Sequence, residues 1–357
     1  MKQRQRTTIL ITFTVIAILI VIGTYTNYNG SEFSPKTQII DMAGRNVSVS
    51  TNPGSVASIT FSATLQIYML APDKLLGWNS ELAPEQKRYI PAKYQNLPVV
   101  GGGKQDANYE SFLTLNPDVI FTGHAESDGS IDKIQQKFGE VPVVDVEDDN
   151  NINNIIPSIK FTGDVLGEQK KADELITFYN NVSSQVNTTV SKIPENEKKR
   201  VYYARDPTGL QTDPDGGSHT KLIQMCGGVN VVNVPLTKGS AQVSMEQVLE
   251  WNPDVIIASD PTFYQKVFSD PVWQNVKAVK DKQVYLAPNS PFNWFEGPPG
   301  VNSIIGIPWT AKVLYPDRFK DMDIKNLTKY FYSNFYHYDL SDQEVSDMLS
   351  SSGLKEF

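Results

Sequence analysis

The sequence predicts an α/β protein of two lobes with parallel sheets, joined by one long bridging α-helix and preceded by an N-terminal transmembrane segment. Three observations carry that expectation. First, residues 109–120, running Tyr-Glu-Ser-Phe-Leu-Thr-Leu-Asn-Pro-Asp-Val-Ile, are echoed in register and without a gap by residues 245–256, Met-Glu-Gln-Val-Leu-Glu-Trp-Asn-Pro-Asp-Val-Ile. Second, apolar residues keep a helical period from Ile152 to Ile193, with one interruption near Gly167. Third, Lys2, Arg4 and Arg6 precede an uncharged, mostly apolar run from Thr7 to Tyr25, long enough to cross a hydrocarbon core of about 30 Å as a helix.

The repeat reads as one αβ unit used twice. Asn108 and Ser244 stand where a helix cap belongs, and Ser244 with Gln247 forms a capping box that satisfies exposed first-turn N–H groups. A short amphipathic helix follows, apolar at Phe112, Leu113 and Leu115 in one copy and at Val248, Leu249 and Trp251 in the other. Asn-Pro ends each helix, because proline donates no N–H and biases the residue before it away from helical geometry. Val119-Ile120-Phe121 and Val255-Ile256-Ile257 then read as buried strands of a parallel sheet. Two Rossmann-like lobes result, spanning 37–150 and 196–357, with the bridging helix at 151–195. A cytoplasmic basic end occupies 1–6, the membrane segment 7–25 and a polar tether 26–36.

Composition narrows the function. At 357 residues the chain exceeds one typical core. A net charge of -8 argues against nucleic acid as a partner, since phosphates call for a basic face. The single cysteine, Cys226, excludes an internal disulfide and a cysteine-rich metal site. The positive-inside rule places everything after Tyr25 outside the cytoplasm. A cleaved signal peptide is the competing reading; the length of the apolar run and the lack of a small-x-small site favour a retained anchor. Five N-x-S/T sequons, at Asn29, Asn46, Asn181, Asn187 and Asn326, fit an exported chain but arise easily by chance.

In chain order, residues 38–40 and 47–49 form a hairpin around Asp41-Met42-Ala43-Gly44-Arg45. Val56 to Thr60 is expected as a strand, Ala63 to Leu70 as a helix and Leu75 to Trp78 as a strand. Pro98-Val99-Val100 leads into Gly101-Gly102-Gly103, and Val141 to Val146 closes the first lobe. Beyond Gly167 alone, the bridging helix would span roughly 35 to 40 Å. The second lobe opens with strand Arg200 to Ala204. A helix over 221–226 stops at Gly227-Gly228, and strands follow at 229–232 and 283–287. The segment 288–299 is rich in proline and aromatics, and a capping box at Ser341 and Glu344 starts the last helix.

In this order and spacing, the hairpin at 41–45, Gly101-Gly102-Gly103, Leu115-Asn116-Pro117-Asp118-Val119-Ile120, the bridging helix, Cys226-Gly227-Gly228-Val229-Asn230 and the run Val243 to Leu249 resemble the periplasmic binding proteins whose two α/β lobes are joined by a long helix. Those proteins serve ABC importers of iron-siderophores, cobalamin, haem and some oxyanions. The resemblance covers nearly everything after Lys36. It implies a ligand held between the lobes, no chemistry by the protein itself, and one acid on each lobe docking a permease and ATPase complex. By position these acids are Glu110 and Glu246, second in their helices at equivalent points of the repeat. Each also reads as ordinary helix-dipole complementation. Phe292-Asn293-Trp294, Pro298-Pro299 and Ile304 to Trp309 look most like the branch that includes molybdate and tungstate binders alongside metal-chelate binders.

Ligand contacts are expected on loops at the carboxyl ends of strands. In the first lobe these loops carry Phe61, Ser62, Trp78, Asn79, Lys104 and His124; in the second, Tyr203, Arg205, Ser240, Phe292 and Trp294. Trp78, Phe292 and Trp294 would suit a chelate face, with core packing as the alternative for each; Trp294 is the less expected in a core, because its neighbours are loop formers. Lys104, His124 and Arg205 would suit an anion, with an ion pair to Asp206 or another acid as the alternative for Arg205. The primary expectation is a metal chelate delivered to an importer by a monomer; the alternative is a molybdate or tungstate oxyanion. No cofactor is expected. An enzyme reading finds little support: the three histidines lie far apart in sequence, Cys226 precedes Gly-Gly in an apolar helix, and no nucleotide or HExxH motif is present. A chelatase-like enzyme or an extracellular sensory domain are the remote alternatives.

Overall fold

The computed structural model describes residues 35–101, 108–123, 130–146, 154–215, 217, 220–235, 240–295, 300–355 and 357. The basic end, the apolar run 7–25, Lys104, His124 and His219 lie outside them. Among the described residues no helix is long and apolar enough to cross a membrane.

The chain enters through an antiparallel hairpin, β1 (Lys36–Ile40) and β2 (Asn46–Ser50). Its tip is held by Asp41, which accepts the Arg45 backbone N–H at 2.8 Å and the Arg45 guanidinium at 2.7 and 3.0 Å. Asp41 also accepts the N–H of Asp145 at 3.1 Å, fastening the hairpin to the first sheet.

That sheet is parallel, in the order β3 (Val56–Ser58), β4 (Val119–Thr122), β5 (Val143–Asp145). The strand expected at 75–78 is reduced to single parallel bridges, Val56 with Leu75 and Trp78 with Val99. Pro98 has no N–H to give, so the ladder there cannot run on. The second parallel sheet runs β11 (Val284–Leu286), β10 (Val255–Ala258), β6 (Arg200–Ala204), β8 (Val229–Asn230). A small antiparallel pair, β7 (Gln211–Thr212) and β9 (Ala241–Gln242), stands beside it.

The repeat occupies matching places in the two sheets. Helices α2 (Tyr109–Thr114) and α5 (Met245–Trp251) lead into β4 and β10, which are interior strands buried along their whole length. Asn108 caps α2 through Ser111 N–H at 3.2 Å, and Ser244 with Gln247 closes the capping box of α5. Asn116 and Asn252 end the helices in left-handed backbone, with φ of 49° and 43°.

Between the sheets the expected single helix is a pair. Helix α3 (Ile155–Leu166) ends at Gly167, whose φ of 70° suits glycine, and α4 (Gln169–Val190) follows. The carbonyl of Gly163 accepts the Glu168 N–H at 2.8 Å and closes the turn. At 22 residues α4 is about 33 Å long. Helix α3 packs on α1 (Phe61–Leu70) through buried hydrogen bonds from Gln66 to Thr162 (2.8 Å) and from Ser158 to Gln66 (2.9 Å). The α4 ring of Phe178 lies 5.5 and 6.3 Å from those of Phe331 and Phe335.

The C-terminal elements return to the first sheet. Helix α6 (Ser303–Leu314) is buried along nearly all its length, and α7 (Ile324–Phe331) runs into a π-turn over Tyr332–Tyr336 before α8 (Asp342–Ser351). From that turn the Tyr336 carbonyl accepts the Tyr68 hydroxyl at 2.7 Å, and His337 Nε2 bonds the Tyr68 carbonyl at 2.9 Å. One apolar cluster therefore runs from α1 through α3 and α4 into the C-terminal helices.

Candidate binding cleft

In a parallel sheet the natural crevice lies at the carboxyl ends of adjacent strands whose connections leave to opposite sides. The second sheet has that arrangement between β6 and β10, because β8 continues to one side and β11 to the other. Arg205 follows β6 there and Ser259 follows β10. In the first sheet the bridge at Leu75 lies beside β3 on the side away from β4. The crevice thus lies between β3 and β4, where Thr60 and Phe61 follow one strand and Gly123 the other. Thr60 and Gly123 are so close that a Cβ on Gly123 would sit 2.6 Å from the Thr60 hydroxyl oxygen. Phe61, beside the first crevice, and Phe292, in the segment after β11, have ring centroids 5.6 Å apart, edge to face.

The aromatic candidates are packed inside. Trp78 is buried, its indole N–H on the Tyr94 carbonyl at 2.8 Å, and its ring lies among Tyr68, Phe61 and Phe292. Trp294, expected on a loop because its neighbours are loop formers, is fully buried and donates to the Tyr332 hydroxyl at 3.2 Å. Tyr203 is fully buried against Phe295 at 4.7 Å. Phe292 is 2% exposed. Only Phe61, at the start of α1, is partly open.

The polar candidates differ. Arg205 pairs with Asp213 at 2.8 Å, not with its neighbour Asp206; its side chain keeps 18% exposure while that of Asp213 has 1%. Burial would raise the Asp206 carboxyl, but hydrogen bonds from the backbone of Gln211 and the side chain of Thr208 outweigh it and hold that group below its ordinary range. Ser240 accepts the Gln211 side-chain amide at 3.1 Å beside the β7–β9 pair. Asn293 donates to the Ser259 hydroxyl at 3.2 Å, joining the 288–295 segment to the end of β10. Sequence reasoning missed Asp213 and Ser259; a buried acid eight residues past the arginine has no local signature.

Glu110 and Glu246 are both exposed. Each helix leads directly into an interior parallel strand, so its first turn lies toward the carboxyl end of the sheet, where the crevices are. Its own backbone N–H, together with the Ser244 hydroxyl, holds the Glu246 carboxyl below the usual range. Away from the cleft, Cys226 is buried with its Sγ 3.3 Å from the Ile307 carbonyl, and burial pushes its thiol up. Among the described residues, no group of three or more His, Cys, Asp or Glu converges to hold a metal ion.

Two parallel sheets, each with a crevice at its carboxyl end, agree with a comparison to known families, in which the periplasmic binding protein family matches residues 67–291. The chain belongs to the periplasmic binding protein family. Its role as a solute-binding component of an ABC importer follows from that membership. Within the family, the chain is 29% identical over 299 residues to the molybdate-binding protein MolA of Haemophilus influenzae, covering 78% of this chain and 82% of that one. A solute-binding protein from Sulfurospirillum deleyianum superposes with a TM-score of 0.80 at 28% identity, covering 88% of this chain and 99% of its own. MolA bound to molybdate superposes with a TM-score of 0.71 at 26% identity, covering 85% and 99%. More distant relatives are named for iron uptake and haem uptake.

Proposed function

We propose that this binding protein is not an enzyme and captures a small oxyanion of the molybdate class between its sheets, outside the cytoplasm, for delivery to a membrane importer. The observation that carries the reading is the contrast at the cleft. The rings of Trp78, Tyr203 and Trp294 are covered by the protein's own side chains, whereas Arg205 keeps part of its side chain exposed at the carboxyl end of β6. A macrocycle needs open aromatic faces; a tetrahedral anion needs a cation and hydrogen-bond donors. The likeness to MolA supports the same ligand class.

The metal-chelate reading keeps one specific observation in its favour. Phe61 is partly exposed beside the first crevice and packs edge to face on Phe292, an aromatic corner that a larger ligand would cover. In both readings Glu110 and Glu246 dock the permease, since two exposed acids at equivalent points of a repeat suit a two-fold symmetric receptor. Residues 7–25 serve as the membrane anchor of a monomer whose lobes are residues 37–150 and 196–357.

Calorimetric titration of the fragment from Ser31 onward with molybdate, tungstate, sulfate, a ferric siderophore, haemin and cobalamin separates the readings. Saturable one-site binding of molybdate and tungstate is expected. Binding of a chelate alone would replace the oxyanion reading with the chelate one.

A further inference from the structure

The second lobe carries an apolar hollow of about 370 Å³ next to one of the two proposed docking acids. Met245, the first residue of α5 and the one before Glu246, forms part of its wall. Leu210 from the turn after β6 lines it too, as do Phe263 from the helix Pro261–Lys266 and Trp273 beyond it. Met245 and Leu210 are only partly buried, and Val272 at the rim is 49% exposed.

The walls are set before anything binds. Asp206 accepts the Gln211 N–H at 3.0 Å and the Thr208 hydroxyl at 2.7 Å, which fixes the turn on one side. Gly209 in that turn has a φ of 75°, and an added Cβ would run into the Phe263 ring. On the other side Asp270 accepts the N–H groups of Val272 and Trp273 at 2.8 and 3.2 Å. Little ordering cost is then subtracted when an apolar side chain enters.

The first lobe differs at the equivalent point of the repeat. Tyr109 stands where Met245 does, one residue before Glu110. Its ring is covered by Phe138, 5.2 Å away and edge to face, and by the Lys137 ammonium at 4.4 Å. One acid thus follows a filled position and the other an open one.

We propose that the hollow seats an apolar side chain of the permease, on the same loop that brings a basic residue to Glu246; the inference rests on the docking reading above. Room for one or two side chains is too little to hold a partner alone, since stable interfaces bury roughly 800 Å² on each side. The hollow contributes only within a larger contact, and Glu246 marks that contact one residue away. A two-fold symmetric receptor is thereby met unequally: one of its loops gains an apolar anchor, the other a charge pair only.

Binding to the cognate permease and ATPase complex in lipid nanodiscs, without added solute, reads the contact directly. Val272→Asp should weaken it at least about tenfold, the worth of one apolar side chain kept out of such a site. Met245→Tyr brings the first lobe's residue to the second and should weaken binding by filling the hollow. Val272→Ile keeps the rim apolar and should bind within twofold of wild type. So should Ile40→Asp, which charges a residue 67% exposed on the first lobe's hairpin. If Met245→Tyr does not fold, Val272→Asp against Val272→Ile still decides. Val272→Asp binding within twofold of wild type, while Glu110→Ala with Glu246→Ala binds weakly, overturns this inference and leaves the docking reading standing. Full binding by that double alanine variant overturns the docking reading and this inference with it. A wild-type dimer that Val272→Asp disrupts, or adhesion to empty nanodiscs that it abolishes, assigns the hollow to a second copy or to lipid and overturns the inference as well.

Discussion

Asn116 and Asn252 occupy the same left-handed backbone 136 positions apart, and the aspartate two residues on from each does the same work in its own sheet. Asp118 N–H donates to the Ser55 carbonyl and Asp254 N–H to the Arg200 carbonyl, both at 2.8 Å. The carboxylate of Asp118 accepts the N–H groups of Gly54 and Ser55, at 2.7 and 3.0 Å, and that of Asp254 accepts the N–H of Arg200 at 3.0 Å. Asn-Pro-Asp thus ends a helix and tethers the next strand to its neighbour in both halves.

The two asparagines should differ in cost. Left-handed backbone penalises a Cβ by about 1 to 2 kcal/mol, so Asn116→Ala should lower unfolding free energy by about 1 kcal/mol while Asn116→Gly changes it little. Asn252 also accepts the Lys277 N–H at 2.8 Å, so Asn252→Ala should cost about 1 kcal/mol more than Asn116→Ala. Urea midpoints of the three variants check this; alanine and glycine behaving alike at 116 would contradict it.

Helices α3 and α4 meet at Gly163, where an added Cβ would lie 2.5 Å from the Cβ of Ala172. Gly163→Ala should destabilise by about 1 to 3 kcal/mol despite its better helix propensity, because overpacking outweighs the roughly 1 kcal/mol gained. Adding Ala172→Gly should restore most of the overpacking loss. Thermal denaturation of the single and double variants measures it, and equal stability of Gly163→Ala and wild type would refute the contact.

The parts legible in the sequence were those set by neighbours in the chain. Asn108, Ser244 and Ser341 cap helices as their local patterns imply, and both β-branched runs are buried interior strands. The site was less legible because its decisive contacts are distant. Trp294 sits among loop formers yet is buried by Tyr332, 38 residues on. Arg205 had an acid beside it and chose Asp213. Gly167 was visible as an interruption; that it divides the helix completely depends on the turn closing back on Gly163.

His337 gives the protein a specific acid sensitivity. Burial holds its pKa below the ordinary value of 6.5, partly offset by the bond to the Tyr68 carbonyl; Lys171 and Lys93 lower it further and Asp73 opposes them. The unfolded chain therefore binds this proton more readily. Stability should fall as the pH drops below about 6.5 and stop falling, for this group, below its folded pKa. His337→Asn tolerates the φ of 58° at this position and should flatten stability between pH 6.5 and 5. An unchanged slope in that variant would assign the effect elsewhere.

Arg205 and Asp213 should separate folding from binding. Arg205→Ala removes an ion-pair partner at 2.8 Å from a buried carboxylate and should cost up to about 3 kcal/mol, less to the extent that solvent reaches the arginine. Arg205→Lys keeps the charge but loses the planar fork, so it should fold nearly as well as wild type and bind molybdate about tenfold more weakly. Calorimetry on Arg205→Lys decides; unchanged affinity would remove Arg205 from the site.

Glu110→Ala combined with Glu246→Ala should leave molybdate affinity intact and abolish stimulation of the permease's ATPase in reconstituted membranes. Exchanging each for lysine should have the same effect with greater severity, since a receptor complementary to two acids would then meet the opposite charge at both points. Full stimulation by the double alanine variant would remove these acids from docking.

The most direct test of the central claim is the metal content of the wild-type protein after equilibrium dialysis against micromolar molybdate in excess sulfate. Capture of the proposed ligand predicts one molybdenum per chain, displaced by tungstate and not by sulfate. A chain that leaves dialysis without molybdenum, yet takes up a ferric chelate or haem under the same conditions, would contradict the oxyanion assignment.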